Sequence, residues 1–262
     1  MGFKTITDAF ARAKAEGRPA LMPYWPLGYP DAETSLRVVE AIARAGADMI
    51  ELGVPFSDPL ADGVVIQRAT QVALSHGATV AGCIALAGRA RAQGVRLPMF
   101  AMGYLNPLLA HGEAAYAEDW RAAGVDGLIV PDLPPEESET LRAACDRNQL
   151  ALAQFVAPTS TSARMGLAAA AATGFIYVVQ VTGVTGARTE LAAGLGDYVA
   201  RVRAQAGTTP IVVGFGVSTA AHVRAIGRFA DGVIVASALI RAAGEAADPA
   251  AAAYDFVKAL KE

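Results

Sequence analysis

"IELGVPFSDPLADG", Ile50 to Gly63, opens as an apolar strand and closes as a turn-rich loop stiffened by Pro55 and Pro59. Apolar runs like its first half recur along the chain. They are Ala20–Tyr24, Met49–Gly53, Pro98–Gly103, Gly127–Val130, Ala151–Val156, Phe175–Val181, Pro210–Gly214 and Gly232–Ala236. Most are almost continuously apolar, as expected when both faces of a strand are buried in a parallel sheet. Helical segments rich in alanine, arginine and glutamate lie between them. "DAETSLRVVEAIARAGA" is the clearest. Asp31 or Thr34 can cap it, Leu36, Val39, Ile42 and Ala43 form one stripe, and Gly46 stops it. The phrase Ala-Gly-(x)-Asp, or a close variant, leads into several strands, as in "AAGVDG" and "FADGVIV". These phrases read as degenerate copies of one βα unit. Eight units in 262 residues predict an α/β fold, a (β/α)8 TIM barrel forming one domain over 1–262, with an extra N-terminal helix. A doubly wound open sheet is the alternative. The count of eight, and the lack of Gly-x-Gly-x-x-Gly after the first strand, favour closure.

Composition narrows the function. The chain is 53% hydrophobic, with 22 basic and 25 acidic residues and a net charge of -3. That balance offers no basic excess for nucleic acid and no basic amphipathic helix for a membrane surface. No apolar run is long enough to span a bilayer. The N-terminus reads as an amphipathic helix with Phe3, Ile6 and Phe10 on one side, and it lacks the apolar centre of a signal peptide. Ile6 stands where a myristoylation motif needs serine or threonine. Cys83 and Cys145 occur singly, with neither metal-ligand spacing nor a disulfide framework, which fits a reducing cytoplasm. His76, His111 and His222 are isolated and suit surface or helix-cap roles.

Glu51 is the residue that packing does not explain. Side chains alternate along a strand, so in "MIELG" Met49, Glu51 and Gly53 share one face, while Ile50 and Leu52 share the other. The branched pair suits the helix-facing side. Glu51 then points into the barrel near the C-terminal mouth, where such folds keep their chemistry. Burial there raises a carboxyl pKa and makes an acid–base group useful near neutral pH. A structural glutamate paired with an arginine is the competing reading. Asp62, eleven residues on, can fold back to face Glu51 across the mouth, or can serve as a turn residue before Gly63. Asp58, before Pro59, is most simply a turn former.

The last two strands supply small residues where many barrels hold a phosphate, in "VVGFGVST" (Val212–Thr219) and "VIVASAL" (Val233–Leu239). Gly216, Ala236 and Ser237 are the candidates. "VTGVTGAR" (Val181–Arg188) adds glycines and hydroxyls after the sixth strand, although glycine-rich βα turns are also ordinary. No lysine lies in the predicted strands, so a Schiff-base aldolase is disfavoured and carbon–carbon chemistry would run on acid–base groups.

Together these motifs carry a resemblance. "ELGVPFSDPLADG" followed by "IQRA", with "MGYLNP", "VPDLPPEE", "VTGVTGAR" and "VGFGVST", resembles the signature of the tryptophan synthase alpha chain family from about Tyr24 to Leu239. The resemblance implies a (β/α)8 barrel that cleaves indole-3-glycerol phosphate to indole and glyceraldehyde 3-phosphate. It implies Glu51 as the acid–base glutamate, Asp62 as the second catalytic acid, and Tyr177 as a tyrosine beside the reacting groups. Thr185 matches a mobile-loop threonine. Gly186, Phe215, Gly216, Ala236 and Ser237 fall at the phosphate end of the substrate site, and Tyr24, Met102 and Ile129 wall the indole pocket. It further implies no cofactor in this chain, a tryptophan synthase beta chain as partner in an alpha2beta2 heterotetramer, and pyridoxal phosphate in that partner. Pro55–Pro59 and the region of Asn106–Pro107 match surfaces that meet the beta chain. The sequence departs from the family's usual pattern at Pro26, Leu27, Val64, Gln180 and Ala236. Alanine at 236 costs about 1 kcal/mol or more if that position needs a positive φ, and nothing if it does not.

Overall fold

The computed structural model describes residues 2–179, 194–214 and 216–262. Eight parallel strands close into a barrel in sequence order: β1 Ala20–Pro26, β2 Ile50–Gly53, β3 Met99–Met102, β4 Gly127–Ile129, β5 Ala151–Val156, β6 Ile176–Val178, β7 Ile211–Val213 and β8 Gly232–Val235. The helices described are α1 Phe3–Ala15, α2 Ala32–Arg44, α3 Val64–Ser75, α4 Val80–Ala92, α5 Leu105–His111, α6 Glu113–Ala122, α7 Glu139–Asn148, α8 Ser162–Ala171, α9 Leu195–Ala206, α10 Ala220–Ile226, α11 Ser237–Ala243 and α12 Pro249–Lys261. The pairing of β8 with β1 rules out the open sheet. All eight expected strands are present. The first runs two residues further than its apolar run suggests, because Trp25 and Pro26 still pair with Leu52 and Gly53 of β2. The sixth is shorter, and residues 180 and 181 lie outside the described residues.

Helix ends follow local chemistry. Asp31, not Thr34, is the N-cap of α2, and its side chain accepts the Thr34 amide at 2.8 Å. Val64 opens α3 directly after Gly63, a position where proline is favoured but its missing N–H is not required. The N-terminal helix α1 plugs the floor of the barrel. Phe10 meets Phe175 edge-on at 6.5 Å between ring centroids, and Phe175 meets Phe100 at 5.1 Å.

The Ala-Gly-(x)-Asp phrases have a function that differs from the one their spacing suggests. Asp48, just before β2, accepts the backbone amide of Leu21 in β1 at 2.8 Å. Asp126, before β4, accepts that of Met99 in β3 at 3.1 Å. Asp231, before β8, accepts that of Ile211 in β7 at 2.7 Å. Before β6 the same job falls to Thr173, whose hydroxyl accepts the Leu152 amide of β5 at 2.9 Å. The repeating unit is therefore two βα units, not one. Each aspartate also binds an arginine: Arg18 with Asp48, Arg91 with Asp126 and Arg203 with Asp231. These latches satisfy amides at the barrel floor that no strand neighbour can reach.

Candidate active site

Register and parity bring the candidate residues to one place. In a parallel sheet, paired residues face the same way, so Tyr24, Glu51 and Phe100 point inward together, and Gly53, Met102 and Ile129 form the next inward level toward the mouth. Across the barrel the pairing of Phe155 with Tyr177, and of Tyr177 with Val212, continues the inner face. Two glycines make room for the tyrosines. A Cβ on Gly53 would sit 2.1 Å from the Tyr24 hydroxyl oxygen, and one on Gly214 would sit 2.1 Å from the Tyr177 ring. Tyr24 therefore leans over Gly53 and Tyr177 over Gly214, both on the inner wall. Phe155 stacks on Tyr177 at 4.6 Å and 22°.

Glu51 is 1% exposed, and one of its carboxyl oxygens has no hydrogen-bond partner. Among the described residues no arginine pairs with it. Burial, and then the charge of Asp62, push its pKa up to about 8. Asp62 reaches the same space from the loop after β2. Its amide bonds to Pro59, and its carbonyl accepts the Gln67 side chain at 2.9 Å. Burial lifts its pKa to about 6, against a hydrogen bond from Tyr104 that pulls the other way. The Tyr24 and Tyr177 phenols are held well above their ordinary range, first by burial and then by both acids, so these four groups share one low-dielectric space. Asp58 stays outside as a turn residue, accepting the Ser57 hydroxyl at 2.5 Å.

Met102 is 7% exposed and Ile129 fully buried, side by side on that inward level. Gly216 has φ 67°, a conformation that favours glycine. Ala236 has φ -115°, so alanine there carries no backbone penalty, and Ser237 begins α11 directly after it. Gly216 in the loop after β7 and Ser237 at the start of α11 thus follow two adjacent strands at the same mouth. Thr185, Gly186 and Phe215 lie outside the described residues. An opening of about 690 Å3 adjoins the site, walled by Leu60 and Ala61 after β2, by Leu133 after β4 and by Phe155 and Val179. The histidines take peripheral roles, with His76 bonded to the Pro30 carbonyl and His111 to Asp119. Among the described residues no three metal-binding side chains converge.

One residue of the site was missed in the sequence. Tyr104, 3% exposed, accepts the Ala61 amide through its hydroxyl at 3.1 Å, next to Asp62 in the loop after β2. It sits two residues past Met102, so the alternation that places Met102 inward also points to Tyr104.

What this arrangement can do is acid–base chemistry by two buried acids at an apolar mouth. The family model for the tryptophan synthase alpha chain matches residues 10–262. The tryptophan synthase alpha chain of Roseiflexus castenholzii is 52% identical over 258 residues, covering 98% of each chain. The tryptophan synthase of Saccharomyces cerevisiae is 40% identical over 253 residues, which is 97% of this chain but 36% of that protein. A solved structure of Mycobacterium tuberculosis tryptophan synthase superimposes with a TM-score of 0.89 at 38% identity, covering 97% of this chain and 96% of that one. Matched in sequence and fold from its first helix to its last, the chain belongs to the tryptophan synthase alpha chain family.

Proposed function

We propose that this chain works as a single-domain lyase that cleaves indole-3-glycerol phosphate to indole and glyceraldehyde 3-phosphate, using Glu51 and Asp62. The observation that carries the assignment of roles is the asymmetry of the two acids. Glu51 is buried with an unpartnered oxygen and holds its proton near neutral pH, whereas Asp62 gives its proton up first. Indole C3 is a poor leaving carbanion until it is protonated. Glu51 gives its proton to C3, which leaves positive charge at the ring nitrogen. Asp62, ionised, holds the ring N–H and balances that charge. The Glu51 carboxylate then takes the proton of the glycerol hydroxyl next to the ring. As that oxygen becomes a carbonyl, the carbon–carbon bond breaks and its electrons restore the indole, so Glu51 ends as it began. Each such proton transfer contributes on the order of a hundred- to ten-thousand-fold. Tyr177 packs the reacting end, Tyr24, Met102 and Ile129 shape the indole side, and Gly186, Phe215, Gly216, Ala236 and Ser237 receive the phosphate end. The family match assigns Thr185 to the exclusion of water from the site.

Direct assay of indole release from indole-3-glycerol phosphate tests the reading, and its pH profile tests the roles. The expected kcat/KM profile is a bell. It falls below about 6 as Asp62 takes up a proton, and above about 8 as Glu51 loses one. A profile flat across that window contradicts the assignment.

A tryptophan synthase beta chain is the proposed partner, in an alpha2beta2 heterotetramer, with pyridoxal phosphate bound there and no cofactor needed for the acid–base steps in this chain. Exposed apolar side chains support a docking face on the family surfaces: Leu60 (93%) and Val64 (64%) beside Pro55–Pro59, and Leu109 (53%) beside Asn106–Pro107. The match to only part of the longer yeast protein also fits an alpha unit that works with further polypeptide. Leu60→Asp is expected to abolish co-purification with the beta chain while leaving the melting temperature unchanged. Retained co-purification argues against this face. Both cysteines are free and buried, and among the described residues no single helix is long and apolar enough to cross a membrane. A cytoplasmic location is the reading these support.

A further inference from the structure

The barrel wall has a slot on the side proposed to receive the indole ring. At the second inward level Pro26, Gly53, Met102 and Ile129 stand side by side on β1 to β4, and Gly53 is the one of the four with no side chain. Tyr24 fills the gap from the level below. It pairs with Glu51, two residues before Gly53, and is 4% exposed. A Cβ on Gly53 would meet the phenol oxygen at 2.1 Å and two ring carbons at 2.5 and 2.8 Å, well inside the roughly 3.5–4.0 Å that carbon contacts need. Backbone shape does not demand glycine here. Gly53 ends a regular strand and is not one of the glycines with a positive φ. Space for the phenol is what the missing side chain supplies.

We propose that Gly53 and Tyr24 act as one specificity-determining pair, in which the empty Cβ position seats the phenol in the wall and so sets the breadth of the space left for the indole ring. The inference rests on the lyase reading above and narrows what that site accepts, which is the bare bicyclic ring in preference to one enlarged on its six-membered side. Tyr24 is the wall, and Gly53 is a positioning residue that acts through it. Tyr177, on the other side of the barrel, is backed at 4.6 Å by the stacked ring of Phe155. Among the described residues Tyr24 has no ring stacked behind it, so the slot decides where it stands. Strand parity keeps Tyr24 on the inner face, and Pro26 and Met102 close the slot on either side. A phenol driven out of the slot therefore enters the space of the substrate ring.

Indole release is measured with indole-3-glycerol phosphate and with analogues that carry a methyl group at each position of the six-membered ring. Gly53→Ala is expected to lower kcat/KM for the parent substrate by about 10–100-fold, chiefly through a higher KM, because the displaced phenol competes with the ring for its seat. Tyr24→Leu added to Gly53→Ala should recover about tenfold or more, since the group that was displaced is gone. Tyr24→Leu alone should shift the preference toward a methylated analogue, at one ring position or more, by about tenfold. A KM in Gly53→Ala within about twofold of the unaltered protein, or a loss that Tyr24→Leu does not relieve, overturns the proposal. Should Gly53→Ala fail to fold, the selectivity of Tyr24→Leu decides the matter. A shifted ratio supports the pairing, and an unshifted ratio at every ring position overturns it. Unaltered protein that releases no indole sinks the lyase reading itself, whereas normal release with none of these shifts sinks only the role of Gly53 and Tyr24 in selectivity.

Discussion

Glu51→Gln is expected to release almost no indole and, near neutral pH, to be harder to unfold than the unaltered protein. The first effect follows from losing the proton donor to C3, a loss on the order of a hundred- to ten-thousand-fold in kcat. The second follows from linkage. Folding raises the Glu51 pKa from 4.5 to about 8. Between those values the unfolded chain releases a proton that the folded chain must keep, so stability declines as pH rises through that window. At about 1.4 kcal/mol per pH unit, the cost approaches roughly 3 kcal/mol at neutral pH. Glutamine carries no such proton, so the variant should gain about 1–3 kcal/mol at neutral pH and lose that advantage as pH falls toward the ordinary glutamate range. Urea midpoints measured at both ends of the window check this. An advantage that does not change with pH would mean that Glu51 is not held protonated. A catalytic acid that burdens its own fold is a familiar trade between activity and stability.

Asp126→Ala should do the opposite, costing stability and sparing the chemistry. Asp126 is fully buried and accepts from the Gly2 amide at 2.8 Å, the Thr5 hydroxyl at 3.2 Å, the Met99 amide at 3.1 Å and the Arg91 guanidinium. Burial already draws the Arg91 pKa below its ordinary value, with Asp126 as the charge that opposes the shift. Removing the carboxylate strands a cation in the interior, which costs about 3–5 kcal/mol. The Arg203–Asp231 latch is less well shielded, with both side chains 36% exposed, so Asp231→Ala should cost about 1–2 kcal/mol. Denaturant midpoints for the two variants give the comparison. If Asp231→Ala proves as damaging as Asp126→Ala, charge burial is not what makes the latches matter.

The sequence shows the barrel more clearly than the details of its site. Eight apolar runs punctuated by glycine give the closed sheet, because strand burial on both faces leaves a pattern that needs no tertiary knowledge. Glu51 is legible for the same reason, as a charge in a run that packing would fill with a hydrocarbon. Asp62 is legible only through its distance from Glu51 and the resemblance. Tyr104 passes unnoticed because a tyrosine after an apolar strand looks like core, and its hold on the Ala61 amide exists only once the loop after β2 is folded. The roles of Gly53 and Gly214 are equally hidden. Each is an empty space for an aromatic ring from a neighbouring strand, a relation that exists only once register is set. The pairing of βα units is masked because Thr173 replaces aspartate in one copy, leaving three phrases where the geometry has four.

The aspartate latches all lie at the floor, where every carboxylate has its guanidinium, while the acids at the mouth lie in one space with no arginine on Glu51 among the described residues. The molecule keeps its electrostatic contentment at one pole and its discontent at the other. Such a polarised pore can have its reactive rim rewritten by substitution while its foundation goes on holding the staves together.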